Sequence, residues 1–120
     1  MPYKSMEIYL VNVPYDEANG SKERPALIVR IINDNQVQLL KITSGFDNKS
    51  KDIQHLYYPI KQWDKAGLRK KSYIDCHKSY QLPKEAIITQ QPFGSLTRED
   101  IKGLFDFISP LITSGKISMN

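Results

Sequence analysis

The chain has 120 residues, of which 40% are hydrophobic and 25% are charged. This size and composition predict one globular domain over residues 1–120 and exclude a disordered chain. No run of about 18 apolar residues is present, so a membrane-spanning helix is excluded. The opening residues lack a signal-peptide pattern, and Cys76 as a single cysteine excludes an internal disulfide. We therefore expect a cytoplasmic protein.

Basic residues outnumber acidic residues, 17 against 13, and the formal net charge is +4. They concentrate in residues 61–71, KQWDKAGLRKK, a stretch that contains a tryptophan and has tyrosines on both sides. Cations beside aromatic side chains favour a surface for single-stranded nucleic acid, which presents both phosphates and bases. A solvated loop whose aromatic side chains anchor it to the core would have the same composition. This stretch leaves both interpretations open.

Two apolar strands joined by a tight turn dominate the first half of the chain. Residues 6–13 alternate as a strand does, and a polar loop is predicted over 14–23. The run 24–32, RPALIVRII, is apolar on both faces, which predicts a central strand with its proline at the start. Asparagines and an aspartate at 33–35 suit a hairpin turn into an antiparallel strand over 36–43.

The middle of the chain predicts short strands separated by loops. A loop over 44–52 precedes β-rich runs at 55–60, 72–77 and 85–89. Their spacing is typical of a small barrel and not of βαβ units, because the connections are too short to hold crossover helices.

One amphipathic helix is predicted at the end of the chain, over about residues 97–109. Thr97 is a suitable N-cap, with acidic residues in the first turn and apolar residues at helical spacing after it. Pro110 predicts a kink or the end of the helix near Ser109, and residues 110–120 are predicted as a short tail. We expect the apolar face of this helix to pack on the sheet.

Few patterns in the sequence indicate chemistry. Neither histidine has the spacing of a metal ligand, so no metal site or cofactor is expected, and Cys76 beside His77 in a strand favours a buried core thiol. With these sites set aside, metal-free chemistry on a phosphodiester remains. Metal-free cleavage of RNA requires a base, an acid and cations that stabilise the phosphate. For the last of these tasks, Arg24 would supply a guanidinium and Thr43 a hydroxyl. From the residues alone they are one candidate pair among many.

Four segments, in their order and spacing, resemble the PemK/MazF family of toxin endoribonucleases. They are ERPALIVRI, LLKITS, GLRKKSYIDCHKSYQLPKEAI and FGSLTREDIKGLFDFI. The resemblance covers most of residues 6–110. It implies a mainly β fold, a small SH3-like barrel with a C-terminal helix. It also implies a homodimer that cleaves single-stranded RNA without metal, leaves a 2′,3′-cyclic phosphate and is held inactive by a cognate antitoxin.

Carried over by position, the resemblance implies that Arg24 and Thr43 are catalytic, with Asp75 as a further acid–base group. Together with the basic stretch it gives a predicted RNA-binding set of six residues: Ser44, Lys70, Lys71, Ser72, Tyr73 and His77. The approach to Arg24 reads ANGSKERP, without the glycine that many members have next to the arginine. The shape of this loop and the cleavage motif are therefore left open.

Two other functions remain open at this point. Relatives of CcdB share the fold and poison DNA gyrase without cutting nucleic acid, and a non-catalytic SH3-like interaction module is a third possibility. The pair of Arg24 and Thr43 favours the ribonuclease, because a gyrase poison needs no site that activates a phosphate. Digestion of RNA with and without EDTA would separate the three.

Overall fold

The computed structural model describes residues 3–15 and 19–118. No helix within them is long and apolar enough to cross a bilayer. They form seven strands, two α-helices and two short 3₁₀-helices. The elements are β1 (Glu7–Pro14), β2 (Ser21–Asn33), β3 (Gln36–Thr43), a 3₁₀-helix (Phe46–Asn48), α1 (Lys51–Gln54), β4 (Tyr57–Pro59), β5 (Tyr73–Asp75), β6 (Tyr80–Pro83), a 3₁₀-helix (Lys84–Ala86), β7 (Gly94–Ser95) and α2 (Arg98–Thr113).

The strands form one antiparallel sheet in the order β4–β5–β3–β2–β1–β7, and β6 also pairs with β3. β3 changes partner along its length, since Gln36–Leu39 pair with β6 and its last two residues pair with β5. The ladder between β2 and β3 contains two register shifts, which increase the bend of the strands. The predicted mainly β fold with a C-terminal helix is confirmed as a curved half-barrel.

Both faces of the sheet are buried. Leu40 belongs to the hydrophobic cluster that includes Leu104 of α2, whereas Leu39 belongs to a second cluster that includes Tyr80 of β6. Leu39 and Leu40 are neighbours in a strand, so their side chains project to opposite faces. The central position predicted for β2 is also confirmed, because it pairs with β1 on one side and β3 on the other.

β2 begins at Ser21, so the end of the predicted loop over 14–23 is part of the strand. The sequence predicted Pro25 at the start of the strand, but Pro25 lies inside β2. This position is tolerated because the ladder with β3 begins one residue later, at Ala26, so Pro25 precedes that ladder. Residues 16–18 of the predicted loop lie outside the described residues.

The strand predicted over 85–89 is wrong. The first of these residues belong to a 3₁₀-helix, and Ile87 makes only an isolated bridge to Val11. The strand lies earlier, as β6, because the first half of β3 offers it a full ladder of backbone partners. The predicted loop over 44–52 contains the 3₁₀-helix Phe46–Asn48 and the start of α1.

Thr97 caps α2 as predicted, since its hydroxyl accepts a hydrogen bond from the backbone N–H of Asp100 at 3.3 Å. The predicted end near Ser109 is wrong, because the helix continues through Pro110. The proline removes one backbone hydrogen bond from the helix. The chain after it docks on the core, where Ile117 is 6% exposed, and this packing holds the last turn in place.

Candidate active site

Arg24, near the start of β2, and Thr43, the last residue of β3, lie at the same end of this antiparallel pair of strands. In the ladder between these strands, Ala26 pairs with Lys41. The same register, continued for two residues along each strand, places Arg24 opposite Thr43 with both side chains on one face. Both residues are half-buried. The structure thus brings together the two residues that the sequence predicted as a catalytic pair.

A pocket of about 490 Å³ opens beside this pair. Its walls come from the start of β2, the end of β3, the loop before β5 and the segment before β7. The predicted site residues that line it are Arg24, Thr43, Ser44, Lys70 and Ser72. Residues that the sequence did not assign to the site also line it, among them Lys22, Glu23, Leu68, Arg69 and Phe93.

The charged residues that line the pocket are mostly cations. Lys22, Arg24, Arg69 and Lys70 are basic, and Glu23 is the one carboxylate among the lining residues. Within residues 3–15 and 19–118, no carboxylate pairs with Arg24. A concave surface with this charge attracts anions, and a guanidinium can donate to two phosphate oxygens at once.

The hydroxyl of Thr43 is oriented by the turn that follows β3. Its oxygen accepts a hydrogen bond from the backbone N–H of Gly45 at 3.0 Å. In the described part of the chain, no acceptor takes the hydroxyl's own proton. A threonine hydroxyl carries one donor and two acceptor lone pairs. Thr43 therefore has a donor available to a ligand in the pocket.

Residues 61–71, here called the basic loop, contribute a second wall of the pocket. A buried carboxylate holds this loop in place. Asp100 in α2 is 0% exposed and accepts hydrogen bonds from the N–H of Lys61 at 2.9 Å and of Gln62 at 2.8 Å. The Tyr58 hydroxyl donates to the same carboxylate at 2.7 Å. Burial and this carboxylate raise the pKa of Tyr58 well above its ordinary value, so the hydroxyl stays a donor. These bonds tie the basic loop to the helix.

Two glycines let the basic loop touch the segment before β7. A Cβ on Gly67 would clash with the carbonyl oxygen of Phe93, and a Cβ on Gly94 would clash with the carbonyl oxygen of Ala66. Gly67 also has a φ of +94°, in the left-handed region that favours glycine. The two chain segments therefore pack backbone against backbone at the rim of the pocket.

Asp75, the third residue predicted to be catalytic, does not line the pocket. Its buried carboxylate accepts hydrogen bonds from the Tyr57 hydroxyl at 3.2 Å and from the N–H of His77 at 2.9 Å. The Nζ of Lys41 lies 3.5 Å from the same carboxylate. These contacts join β3, β4 and β5, which explains Asp75 as a structural residue. Its catalytic role stays a prediction.

The remaining predicted RNA-binding residues, Lys71, Tyr73 and His77, also lie outside the pocket lining. The Tyr73 ring stacks on Phe46, with centroids 4.2 Å apart and planes inclined by 11°. The Nζ of Lys71 is 5.9 Å from the centroid of the Tyr73 ring, and His77 is exposed. The stacked pair holds the chain that follows Thr43, so the Tyr73 ring already has an aromatic partner.

Sequence reasoning missed several residues that line the pocket or hold its walls, for different reasons. Lys22 and Glu23 were assigned to a loop because the proline after Arg24 was interpreted as the start of the strand. Phe93 and Asp100 carry no local signal, since an aromatic residue before a glycine and an acid in a first helical turn occur widely without any site. Only their tertiary contacts identify them.

Cys76 is the buried core thiol that the sequence predicted, with 1% of its surface exposed. Burial raises its pKa to about 12, and its S–H points to the carbonyl oxygen of Ile74 at 3.6 Å. A thiol with this pKa is almost entirely protonated near neutral pH, so it is a poor nucleophile.

Together, the curved half-barrel, its terminal helix and the cationic pocket define a small, mainly β protein with a basic cleft where two strands end. The chain matches a family model, described as the PemK-like, MazF-like toxin of type II toxin-antitoxin systems, over residues 4–108. Because this match covers most of the chain, the protein belongs to the PemK-like, MazF-like toxin family. The resemblance drawn from the sequence is confirmed.

Solved structures with the same fold include two toxin-related proteins. The Mycobacterium tuberculosis toxin MazF-mt6 has a TM-score of 0.62 and 18% identity, over 89% of this chain and 96% of that chain. An endoribonuclease in complex with its cognate antitoxin from Mycobacterial species has a TM-score of 0.62 and 14% identity, over 94% and 96% respectively. At these identities the likeness concerns the fold. A search among curated proteins finds no match.

Proposed function

We propose that this protein is an endoribonuclease toxin that cleaves single-stranded RNA at specific sequences without a metal ion. The proposed products carry a 2′,3′-cyclic phosphate. Membership of the toxin family supports the class of activity. The observation that carries the proposal is that Arg24 and Thr43 line the same cationic pocket. In the described part of the chain, no three possible ligand side chains cluster around a metal position.

In the proposed reaction, the 2′-oxygen of a ribose attacks the adjacent phosphorus and the bond from phosphorus to the 5′-oxygen breaks. Negative charge grows on the other phosphate oxygens as the transition state forms. Preorganised donors stabilise such charge strongly. Arg24 has the role of the bidentate cation, and the Thr43 hydroxyl donates a second, neutral hydrogen bond. The proton lost by the 2′-hydroxyl is balanced by protonation of the 5′-oxygen.

Proton transfer in this reaction needs a group that takes the proton from the 2′-hydroxyl. Glu23 is the lining residue whose chemistry suits that task, because the other ionisable lining residues are lysines and arginines. Asp75 is the alternative that the sequence predicted. Its oxygens already accept hydrogen bonds from Tyr57 and His77. We therefore assign the proton acceptor to Glu23 in this mechanism.

RNA binding is assigned first to the polar and basic residues that line the pocket. Ser44 and Lys70 are exposed there and are proposed to contact the RNA backbone. The Ser72 hydroxyl donates to the carbonyl oxygen of Lys70 at 2.8 Å, so its proposed role is to shape the basic loop. Lys71 and His77 are exposed outside the pocket, where they can extend the contact along a longer strand.

The proposed function includes two protein partners, a second copy of the chain and a cognate antitoxin, in a single-domain cytoplasmic protein. The similar endoribonuclease from Mycobacterial species was solved with its cognate antitoxin. In this chain α2 leaves Phe105 58% exposed and Ile112 44% exposed. Apolar surface of this kind is often covered by another protein. Light scattering of the purified chain should report about twice the chain mass if it forms the isologous homodimer that is most common.

Digestion of RNA in excess EDTA tests the proposed function. The purified protein should cleave single-stranded RNA under these conditions and leave cyclic phosphate ends. Thr43→Val is the matched variant, because it keeps the branched shape and removes only the hydroxyl. It should fold normally and cleave slowly. Cleavage that requires an added divalent ion would contradict the mechanism, and growth arrest without any cleavage would indicate a toxin that acts by binding.

A further inference from the structure

Phe93 is an exposed aromatic residue inside the pocket. Its side chain is 44% exposed, and it lines the same cavity as Arg24 and Thr43. Within the described residues, no aromatic ring pairs with it, and it belongs to neither hydrophobic cluster. Leaving a large apolar ring in water gives up stabilisation that burial would provide. The core of the protein does not account for its position.

The backbone of Phe93 is held on both sides, so the ring is attached to a rigid point. Its N–H donates to the carbonyl oxygen of Ile8 in β1 at 2.8 Å. Its own carbonyl oxygen is in close contact with Gly67 of the basic loop, where no Cβ would fit. A backbone held in this way does not have to be ordered when a ligand binds, which removes one part of the entropic cost of binding.

We propose that Phe93 forms a nucleobase subsite, on which a base beside the scissile phosphate stacks while Arg24 and Thr43 hold that phosphate. This subsite rests on the proposed ribonuclease function. An RNA nucleotide joins a flat base to an anionic phosphate, and the pocket joins an exposed ring to a cluster of cations. Single-stranded nucleic acids are bound by this combination of stacking and charge.

The size of the pocket and its mixed apolar and charged lining suit a base that is joined to a phosphate. The pocket, at about 490 Å³, falls in the size range of sites for small organic groups. Leu68 and Pro25 add apolar lining, whereas Arg69 and Lys70 add charge. Tyr73, which the sequence favoured for contact with RNA, already stacks on Phe46. Phe93 is the aromatic residue that lines the pocket itself.

Stacking also predicts what this subsite contributes. Every base has a flat face, so a phenylalanine ring discriminates weakly between bases and acts mainly on affinity and on the position of the nucleotide. Loss of the ring should therefore raise KM and leave cleavage at saturating protein nearly unchanged.

The test uses a short RNA that contains a cleavage site mapped with the wild-type protein. A 2′-deoxy sugar at the attacking position blocks cleavage, and anisotropy of a fluorescent label reports binding. Phe93→Ala should weaken binding by about 5- to 150-fold, the equivalent of roughly 1–3 kcal/mol per stacked base. Phe93→Trp should restore it. Ile88→Ala removes a similarly exposed apolar side chain outside the pocket, 41% against 44%, and should bind as the wild type does.

A second arm replaces each base next to the scissile phosphate by an abasic sugar. At one of these positions, removal of the base should weaken binding to the wild-type protein as much as Phe93→Ala weakens binding of the intact RNA. Removal of the same base should not weaken binding to the Phe93→Ala variant any further. If Phe93→Ala binds the intact RNA as tightly as the wild type, the subsite is overturned while the ribonuclease stands. A wild-type protein that cleaves no RNA would overturn both.

Discussion

The two walls of the pocket are built in different ways. Arg24 and Thr43 belong to β2 and β3, two strands that a ladder of backbone pairs joins from Ala26 and Lys41 onward. Arg69 and Lys70 stand on the basic loop, which lies outside any strand. That loop is tied to the helix by hydrogen bonds that converge on Asp100.

This difference determines how each wall responds to substitution. A ladder distributes its stability over many backbone hydrogen bonds, so a side chain at the end of a strand can be replaced without moving the strand. The basic loop is tied to α2 through one buried carboxylate, and removal of that group leaves its donors unsatisfied. Substitutions in the strand wall should change chemistry alone, whereas loss of the loop anchor should change stability and binding together.

The largest expected effect is the loss of activity in Arg24→Ala. Without the guanidinium, the transition state loses about 2.7–4 kcal/mol of stabilisation, or roughly 100- to 1000-fold in rate, by analogy with removal of an oxyanion donor. The thermal midpoint should stay close to that of the wild type, because the side chain is only half-buried. Single-turnover cleavage at saturating protein and a thermal melt measure the two quantities.

Arg30→Ala is the matched control for this variant, since Arg30 is an exposed arginine at the other end of β2 and does not line the pocket. It should cleave at the wild-type rate. If Arg24→Ala cleaves as fast as Arg30→Ala, then the strand wall holds no catalytic cation and the assignment of the site is wrong.

The next effect is on stability, in Asp100→Ala. Loss of the carboxylate leaves the N–H groups of Lys61 and Gln62 without their acceptor, which should cost at least about 2 kcal/mol of unfolding free energy. RNA binding should weaken as well, because the basic loop is no longer held. Urea unfolding and anisotropy measure these changes. Glu99→Ala removes an exposed acid one residue earlier and should cost no more than about 1 kcal/mol, the helix-dipole contribution, so equal stability of the two variants would contradict the anchor.

The same contrast shows how far the sequence could predict this molecule. The strand wall follows from local patterns: the apolar runs around Arg24 and Thr43, and a turn between them, are sufficient to place the two residues on paired strands. Thr97 was predicted as a helix cap for the same reason. Local periodicity and turn residues are read directly from neighbouring positions.

The loop wall could not be predicted, because it depends on contacts between distant parts of the chain. An acid in a first helical turn is ordinarily explained by the helix dipole, and no pattern shows that Asp100 reaches the basic loop. Tyr73 was assigned to RNA because it follows the basic stretch, and nothing in the sequence indicated its stack on Phe46. Phe93 was missed because its exposure inside the pocket is a tertiary property.

The variant Asp75→Asn tests whether the Asp75 carboxylate has a structural or a catalytic role. The substitution keeps the shape of the side chain but weakens its contacts with Tyr57 and Lys41. Unfolding free energy should fall by about 1 kcal/mol, the size of a typical hydrogen bond, and the single-turnover rate of the folded protein should not change. A rate loss like that of Arg24→Ala, without loss of stability, would instead restore the catalytic role that the sequence predicted.

The smallest effect is expected for Lys70→Ala, which tests whether the loop wall acts through charge alone. Lys70 is exposed and lines the pocket, so its ammonium can neutralise one phosphate without being essential to the chemical step. The logarithm of the binding constant should then depend less steeply on the logarithm of the salt concentration, with a slope reduced by about 1. Cleavage at saturating protein should be nearly unchanged.

Lys116→Ala removes an exposed lysine that does not line the pocket, and its slope should match that of the wild type. Equal slopes for both variants would remove Lys70 from the RNA contact and leave charge recognition to the strand wall.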